Sequence, residues 1–139
     1  SMPCAPAIQL NGRVLLAEDG PDNQRLIRLL LQKAGVEVTL AENGKAACDE
    51  ALAARTRDEP FDLILMDMQM PVMDGYEATR SLRSKGYRSP IVALTAHTME
   101  DDAAKCLAAG CDDYLTKPIE RAAFLAAVER HMSSSSLVR

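Results

Sequence analysis

Four short runs in this chain each end in residues that could do chemistry. Arg13 to Ala17 leads into Glu18-Asp19, and Phe61 to Met66 into Asp67. Ile91 to Leu94 leads into Thr95, and Asp112 to Leu115 into Thr116-Lys117. Carboxylates gathered within a few ångströms repel, and each keeps its proton unless something neutralises it. A hard divalent cation and Lys117 are the two candidates. Mg²⁺ (or Mn²⁺) takes oxygen ligands and keeps several waters, so a partial shell from the chain suffices. Asp19 and Asp67 are expected to hold it, with Glu18 beside them. The backbone C=O of Gln69 is the nearest further ligand on that loop. Lys117 adds a point charge and Thr95 a hydroxyl donor. Phosphoryl transfer needs positioning and charge neutralisation more than covalent chemistry, and carboxylates are phosphoryl acceptors. The set therefore predicts that Asp67 accepts a phosphoryl group.

The elements that must position these residues alternate. After Glu18-Asp19, the turn Gly20-Pro21-Asp22-Asn23 opens a helix with Ile27, Leu30, Leu31 and Ala34 on one face, stopped at Gly35. Val36 to Ala41 is a second strand, and Asn43-Gly44 opens an Ala-rich helix to about Arg57. Phe61 to Met66 is an apolar run bounded by Pro60 and Pro71, as in a buried parallel strand. Further helices are expected over about Tyr76–Lys85, Glu100–Ala109 and Ile119–His131. Five strand–helix alternations demand a parallel sheet with helices on both faces. Such a sheet has its ligand crevice at the carboxyl ends of the strands, where all four runs end.

With 139 residues, 47% hydrophobic and 26% charged, the chain suits one globular domain. A net charge of -4 gives no reason to expect nucleic-acid binding. No apolar run approaches the roughly 20 residues that span a bilayer, and no secretory signal is visible. The four cysteines, Cys4, Cys48, Cys106 and Cys111, have no metal-site spacing and read as reduced thiols of a cytoplasmic protein. The domain is expected over 12–132, with a loose lead-in over 1–11 and a flexible tail over 133–139. Ser1-Met2 reads as a cloning scar, so the chain is expected to be cut from something longer.

Four stretches, VLLAEDGPDNQ, ILMDMQMPVMDGYEATR, IVALTAHTM and GCDDYLTKPI, stand in this order at suitable spacing. Together they make the chain resemble a response-regulator receiver domain over about Arg13–His131. The resemblance implies an α/β fold, a (βα)5 doubly wound, flavodoxin-like sheet in the order 2-1-3-4-5. It implies that Asp67 is the phosphoacceptor, Asp19 a direct metal ligand, and Glu18 a ligand acting mostly through water. Thr95 would be the switch hydroxyl, Tyr114 the switch aromatic, and Lys117 the partner of a phosphoryl oxygen. Lys117-Pro118 would be a cis peptide. Gln69 and His97 would flank the path of the attacking water and set the phosphoryl lifetime. The wording is nearest to receivers fused to hybrid sensor histidine kinases. Phosphoryl would then pass from a kinase His to Asp67 and on to a His-containing phosphotransfer domain. A stand-alone response regulator and a degenerate receiver that only binds remain alternatives. In the family the domain catalyses its own phosphorylation and dephosphorylation, while kinase activity would belong to a parent chain.

Other readings compete. A flavodoxin-like carrier shares the strand plan but needs a phosphate loop where this chain has EDGPD, which repels phosphate. A haloacid-dehalogenase-type phosphatase needs a second Asp where this chain has Gln69. Asn23, Gln24 and Ile27, at the start of the first helix, are the expected landing face for a His-bearing four-helix bundle, with Ile27 alternatively a core residue. Gly75 is expected to permit a tight loop that positions the Asp67 backbone. Asp112-Asp113 is expected to be a solvated turn. Met66 is expected in the core, and Met68, Met70 and Met73 either there or on a docking surface.

Overall fold

The computed structural model describes residues 10–96 and 100–138. Five strands alternate with five helices: β1 (Gly12–Ala17), α1 (Pro21–Lys33), β2 (Val36–Ala41), α2 (Gly44–Thr56), β3 (Leu63–Asp67), α3 (Gly75–Ser84), β4 (Ile91–Thr95), α4 (Glu100–Ala109), β5 (Asp113–Thr116) and α5 (Arg121–Val138). All pairings are parallel, in the order β2-β1-β3-β4-β5. The doubly wound expectation holds, because each parallel step needs a helical crossover.

The strands sort their side chains with a period of two. Leu15, Ala17, Ile64, Met66, Ile91 and Ala93 pack with α2, α3 and α4 through Ala47, Ala51, Ala78, Leu82 and Cys106. Val14, Leu16, Leu63, Leu65, Val92 and Leu94 pack with α1 and α5 through Ile27, Leu31, Phe124 and Val128. Every residue of β3 and β4 is buried. Each Leu, Ile or Val so removed from water contributes about 1.5–3 kcal/mol.

Several boundaries move from their predicted places. β3 starts at Leu63 rather than Phe61, and Asp67 is its last residue rather than the first beyond it. α5 runs on through Ser133–Ser136 to Val138 rather than ending near His131. No Gly or Pro stands between Met132 and Val138 to break it, and Ser costs a helix only a few tenths of a kcal/mol, ~0.5 per residue. At the other end, Leu10 is buried and its N–H donates to Ala34 O at 2.6 Å, so part of the expected lead-in is fastened to α1.

The Asp112-Asp113 reading of a solvated turn holds for Asp112, an exposed bend, but not for Asp113, which opens β5. Asp112 Oδ2 accepts from Ile91 N at 2.8 Å and from Arg83 Nη2 at 2.8 Å. Asp113 Oδ2 accepts from Arg130 Nη2 at 2.7 Å and lies 3.0 Å from His131 Nε2. Both fasten the amino end of β5, with the Asp112 side chain still 47% exposed.

Candidate functional site

The site forms where β1, β3, β4 and β5 end. Backbone bonds continue past the strands and hold each terminus. Glu18 N donates to Ala41 O at 3.0 Å, Met68 N to Leu94 O at 3.0 Å, and Lys117 N to Thr95 O at 2.7 Å. Thr95 is 2% exposed at the last position of β4. The Lys117-Pro118 peptide is cis, as expected. Gln24 reaches back from the first turns of α1, and its Nε2 donates to Glu18 O at 2.5 Å.

The charged groups meet as the sequence predicts. Lys117 Nζ stands 3.0 Å from Asp67 Oδ2 and 3.0 Å from Glu18 Oε1. Both carboxylates are nearly sealed, with Glu18 1% and Asp67 3% exposed. Asp67 Oδ1 accepts the Gln69 N–H at 3.0 Å, and Glu18 Oε2 accepts the Gly20 N–H at 2.9 Å. Burial raises the Glu18 pKa above the usual carboxylate value, and the neighbouring Asp67 charge adds to this. The Gly20 N–H and Lys117 pull the other way without cancelling it. Burial alone would lower the Lys117 pKa, but the two carboxylates beside it, Asp67 and Glu18, outweigh burial and raise it.

Glu18 Oε1 is a buried acceptor without a hydrogen-bond partner. Lys117 Nζ, 3.0 Å away, pairs with its charge without meeting the geometry of a full hydrogen bond. A buried oxygen held in this way has a lone pair to spare for a further ligand. Glu18, Asp19 and Asp67 offer carboxylate oxygens that all lie within 4.8 Å of one another, with Asp19 exposed. Oxygens around one octahedral Mg²⁺ stand about 3–4 Å apart. The donor set is all oxygen, so the cluster fits a hard divalent cation.

The remaining predicted residues fall in several places. Tyr114 is 38% exposed on β5. Asn23 is half-buried at the start of α1. Ile27 is corrected: it is 0% exposed, in the core under α1, and offers nothing to a partner, whereas Leu26 at 42% and Leu29 at 47% do face outward. Met66 and Met68 are buried, while Met70 and Met73 are only partly so. His97 lies outside the described residues.

The loop from β3 to α3 is tightly built. Asp74 caps α3, its Oδ1 accepting from Glu77 N at 2.8 Å. A Cβ on Gly75 would stand 2.3 Å from Asp67 O, so glycine is needed there for close approach. A Cβ on Gly44 would stand 2.3 Å from Met73 O, a contact that the sequence did not reveal. The Asn-Gly pair signalled only the start of α2.

The match to the model of the response regulator receiver domain spans residues 14–129. The chain belongs to that family. Several of its relatives carry a similar stretch within much longer proteins. A hybrid signal transduction histidine kinase, kinase I of Dictyostelium discoideum, is 46% identical over 111 residues, which cover 77% of this chain and 6% of the kinase. A two-component response regulator of Oryza sativa subsp. japonica, ORR41, is 44% identical over 113 residues, 78% of this chain and 85% of the regulator. The receiver domain of a sensor histidine kinase from Pseudomonas aeruginosa, with a magnesium ion coordinated in its active-site cleft, superposes with TM-score 0.79. It is 41% identical and covers 89% of this chain and 99% of its own. This chain spans only 6–12% of the histidine kinases among the first relatives it matches. It is a receiver domain of the two-component phosphorelay class, homologous to the receivers of hybrid histidine kinases. Among the described residues no helix is long and apolar enough to cross a membrane.

Proposed function

We propose that Asp67 is the phosphoacceptor of this receiver domain. The observation that carries this is the buried convergence of Asp67, Glu18 and Lys117, with Lys117 Nζ 3.0 Å from an oxygen of each carboxylate. Asp67 is held at the end of β3, with one oxygen on the Gln69 N–H and the other on Lys117. Fixed this way, a carboxylate meets an incoming phosphorus without first being oriented. Asp19, Asp67 and Glu18 would hold Mg²⁺, with the Gln69 carbonyl as a further ligand, and the ion would supply charge neutralisation for the transferred phosphoryl group. Lys117 pairs a phosphoryl oxygen, and the Thr95 hydroxyl turns to another. Tyr114, now partly exposed, follows Thr95 inward. Gln69 and His97 govern how readily water reaches the phosphorus.

The phosphoryl donor is a phosphohistidine of a kinase or phosphotransfer domain, docking over Asn23 and Gln24 with Leu26 in place of the buried Ile27. The parent protein is a hybrid sensor histidine kinase, working on the cytoplasmic side. The identity of 46% with one such kinase supports this, as do the buried free thiols of Cys48, Cys106 and Cys111. The rice regulator, of which the chain covers 85%, favours a stand-alone regulator as the second reading. Incubating the chain with Mg²⁺ and acetyl phosphate and weighing it intact tests the assignment. One phosphoryl group is expected on the wild type and none on Asp67→Asn. Equal labelling of both would remove Asp67 from the role.

A further inference from the structure

We infer that Gly44, the first residue of α2, is a positioning residue for the phosphoacceptor loop. On the reading of Asp67 proposed above, it sets the geometry in which Asp67 meets its metal and its donor.

Two backbone bonds close the loop over residues 68–74 on itself and against the first residue of α3. Met73 N donates to Pro71 O at 2.7 Å, and Gly75 N donates to Met68 O at 3.1 Å. The first is a three-residue turn with Val72 at its apex, at φ 70. Val72 is β-branched and 79% exposed, so no packing holds it in that left-handed conformation. Left alone, such a residue relaxes to negative φ. Something outside the turn must keep it there.

Gly44 supplies the hold. Its N–H donates to Met73 O at 2.9 Å, the carbonyl of the residue that follows Val72. The positive end of the α2 dipole favours that carbonyl. Asn43 fixes the start of the helix, with Oδ1 accepting from Ala46 N at 2.8 Å. The contact admits no side chain. A Cβ on Gly44 would stand 2.3 Å from Met73 O and 2.9 Å from Asp74 O, both backbone atoms. The other end of the loop is pinned with equal closeness, where Gly75 abuts Asp67 O and Met68. Between these two clamps lies Gln69, whose N–H holds Asp67 Oδ1. The line of contact therefore runs from α2 through Met73 and the strained turn to the carboxylate.

The test is Gly44→Ala, with Ala53→Gly on the exposed side of the same helix as a control for simple loss of helix stability. Two readouts are taken on the whole chain: the Gln69 amide resonance, and the Mg²⁺ dissociation constant from calorimetric titration with the metal alone. In Gly44→Ala the Gln69 amide should shift and the Mg²⁺ affinity should fall roughly tenfold, as when an outer support of a metal site is lost. Ala53→Gly should change neither. A folded Gly44→Ala with wild-type resonance and affinity overturns the inference. Val72→Gly keeps it testable even where Gly44→Ala fails to fold. With the clamp intact, the loop should hold its shape whatever stands at 72, so both readouts should stay at wild-type values. A Val72→Gly that moves them shows that the turn, not Gly44, sets the loop. The Gln69 resonance does not depend on Asp67 receiving a phosphoryl group, so failure of the clamp and failure of the phosphoacceptor assignment are read separately.

Discussion

Replacing Lys117 with Met keeps the bulk of the stem and removes the ammonium. Two carboxylates then face each other without a cation, with side chains only 2% and 5% exposed for Glu18 and Asp67. Breaking a fully buried pair costs ~3–5 kcal/mol. The Lys117 side chain is 19% exposed, so solvent screens part of the charge, and about 2–3 kcal/mol is expected here. Urea unfolding at pH 7 in a chelator should show that loss as a lowered midpoint with an unchanged slope. Mg²⁺ should return part of it. An ion at ten times its dissociation constant stabilises a domain by about 1.4 kcal/mol. The variant offers the ion the same carboxylates without a competing ammonium, so its gain should exceed that of the wild type by about 1 kcal/mol. A variant within about 0.5 kcal/mol of wild type in chelator would refute the claim that Lys117 balances the crevice. Equal Mg²⁺ gains in the two proteins would refute the claim that ion and ammonium neutralise the same charge.

Two further predictions concern the opposite end of the sheet. Arg83 donates to Gly110 O, Tyr87 O and Ser89 O and pairs with Asp112, joining three segments. Arg83→Ala should cost roughly 2–4 kcal/mol in urea unfolding, while Mg²⁺ affinity stays at its wild-type value. Burial tends to raise the Asp113 pKa, but His131, the Tyr114 N–H and Arg130 outweigh it and lower the value. A carboxylate depressed in the folded state lends stability above its unfolded value of about 3.9 and loses it as pH falls through the folded value. The midpoint difference between wild type and Asp113→Asn should therefore be full at pH 6 and shrink below pH 4.

The fold and the charged set were legible because both rest on short-range patterns. Apolar runs such as Leu63–Met66 announce buried strands, and each one ends where the crevice must be. Glu18, Asp67 and Lys117 could then be joined without knowing any distance. What stayed hidden depends on contacts between elements. Ile27 stood on the apolar face of its helix and also at the end near the crevice, and the packing against Phe124 and Val128 decides for the core. Asp112 read only as a turn residue because nothing in the sequence announces Arg83 across the gap. Gly44 read as a helix opener because a clash with Met73 O exists only once α2 and the loop are laid together. The extension of α5 was hidden for the opposite reason. Four serines read as a linker by composition, yet no breaker stops the helix.

The crevice gathers three carboxyl groups against one ammonium, an excess of two acidic groups over the one cation. A single flexible loop could not hold such a set, since repulsion would spread it into water. Here the load falls on the sheet. Glu18 is tied to β2 through Ala41 O, Met68 to β4 through Leu94 O, and Lys117 to β4 through Thr95 O. The ties of Met68 and Lys117 run to β4, every residue of which is buried, in the part of a domain that opens last. The like charges can thus be kept close, with Glu18 left partly starved of hydrogen bonds, because separating them means breaking the sheet at its centre. A divalent cation of the size that three oxygens within 4.8 Å admit would match that excess. The carboxyl groups that strain the fold would then be the same ones that bind the ion, and the parallel strand ends make that exchange possible.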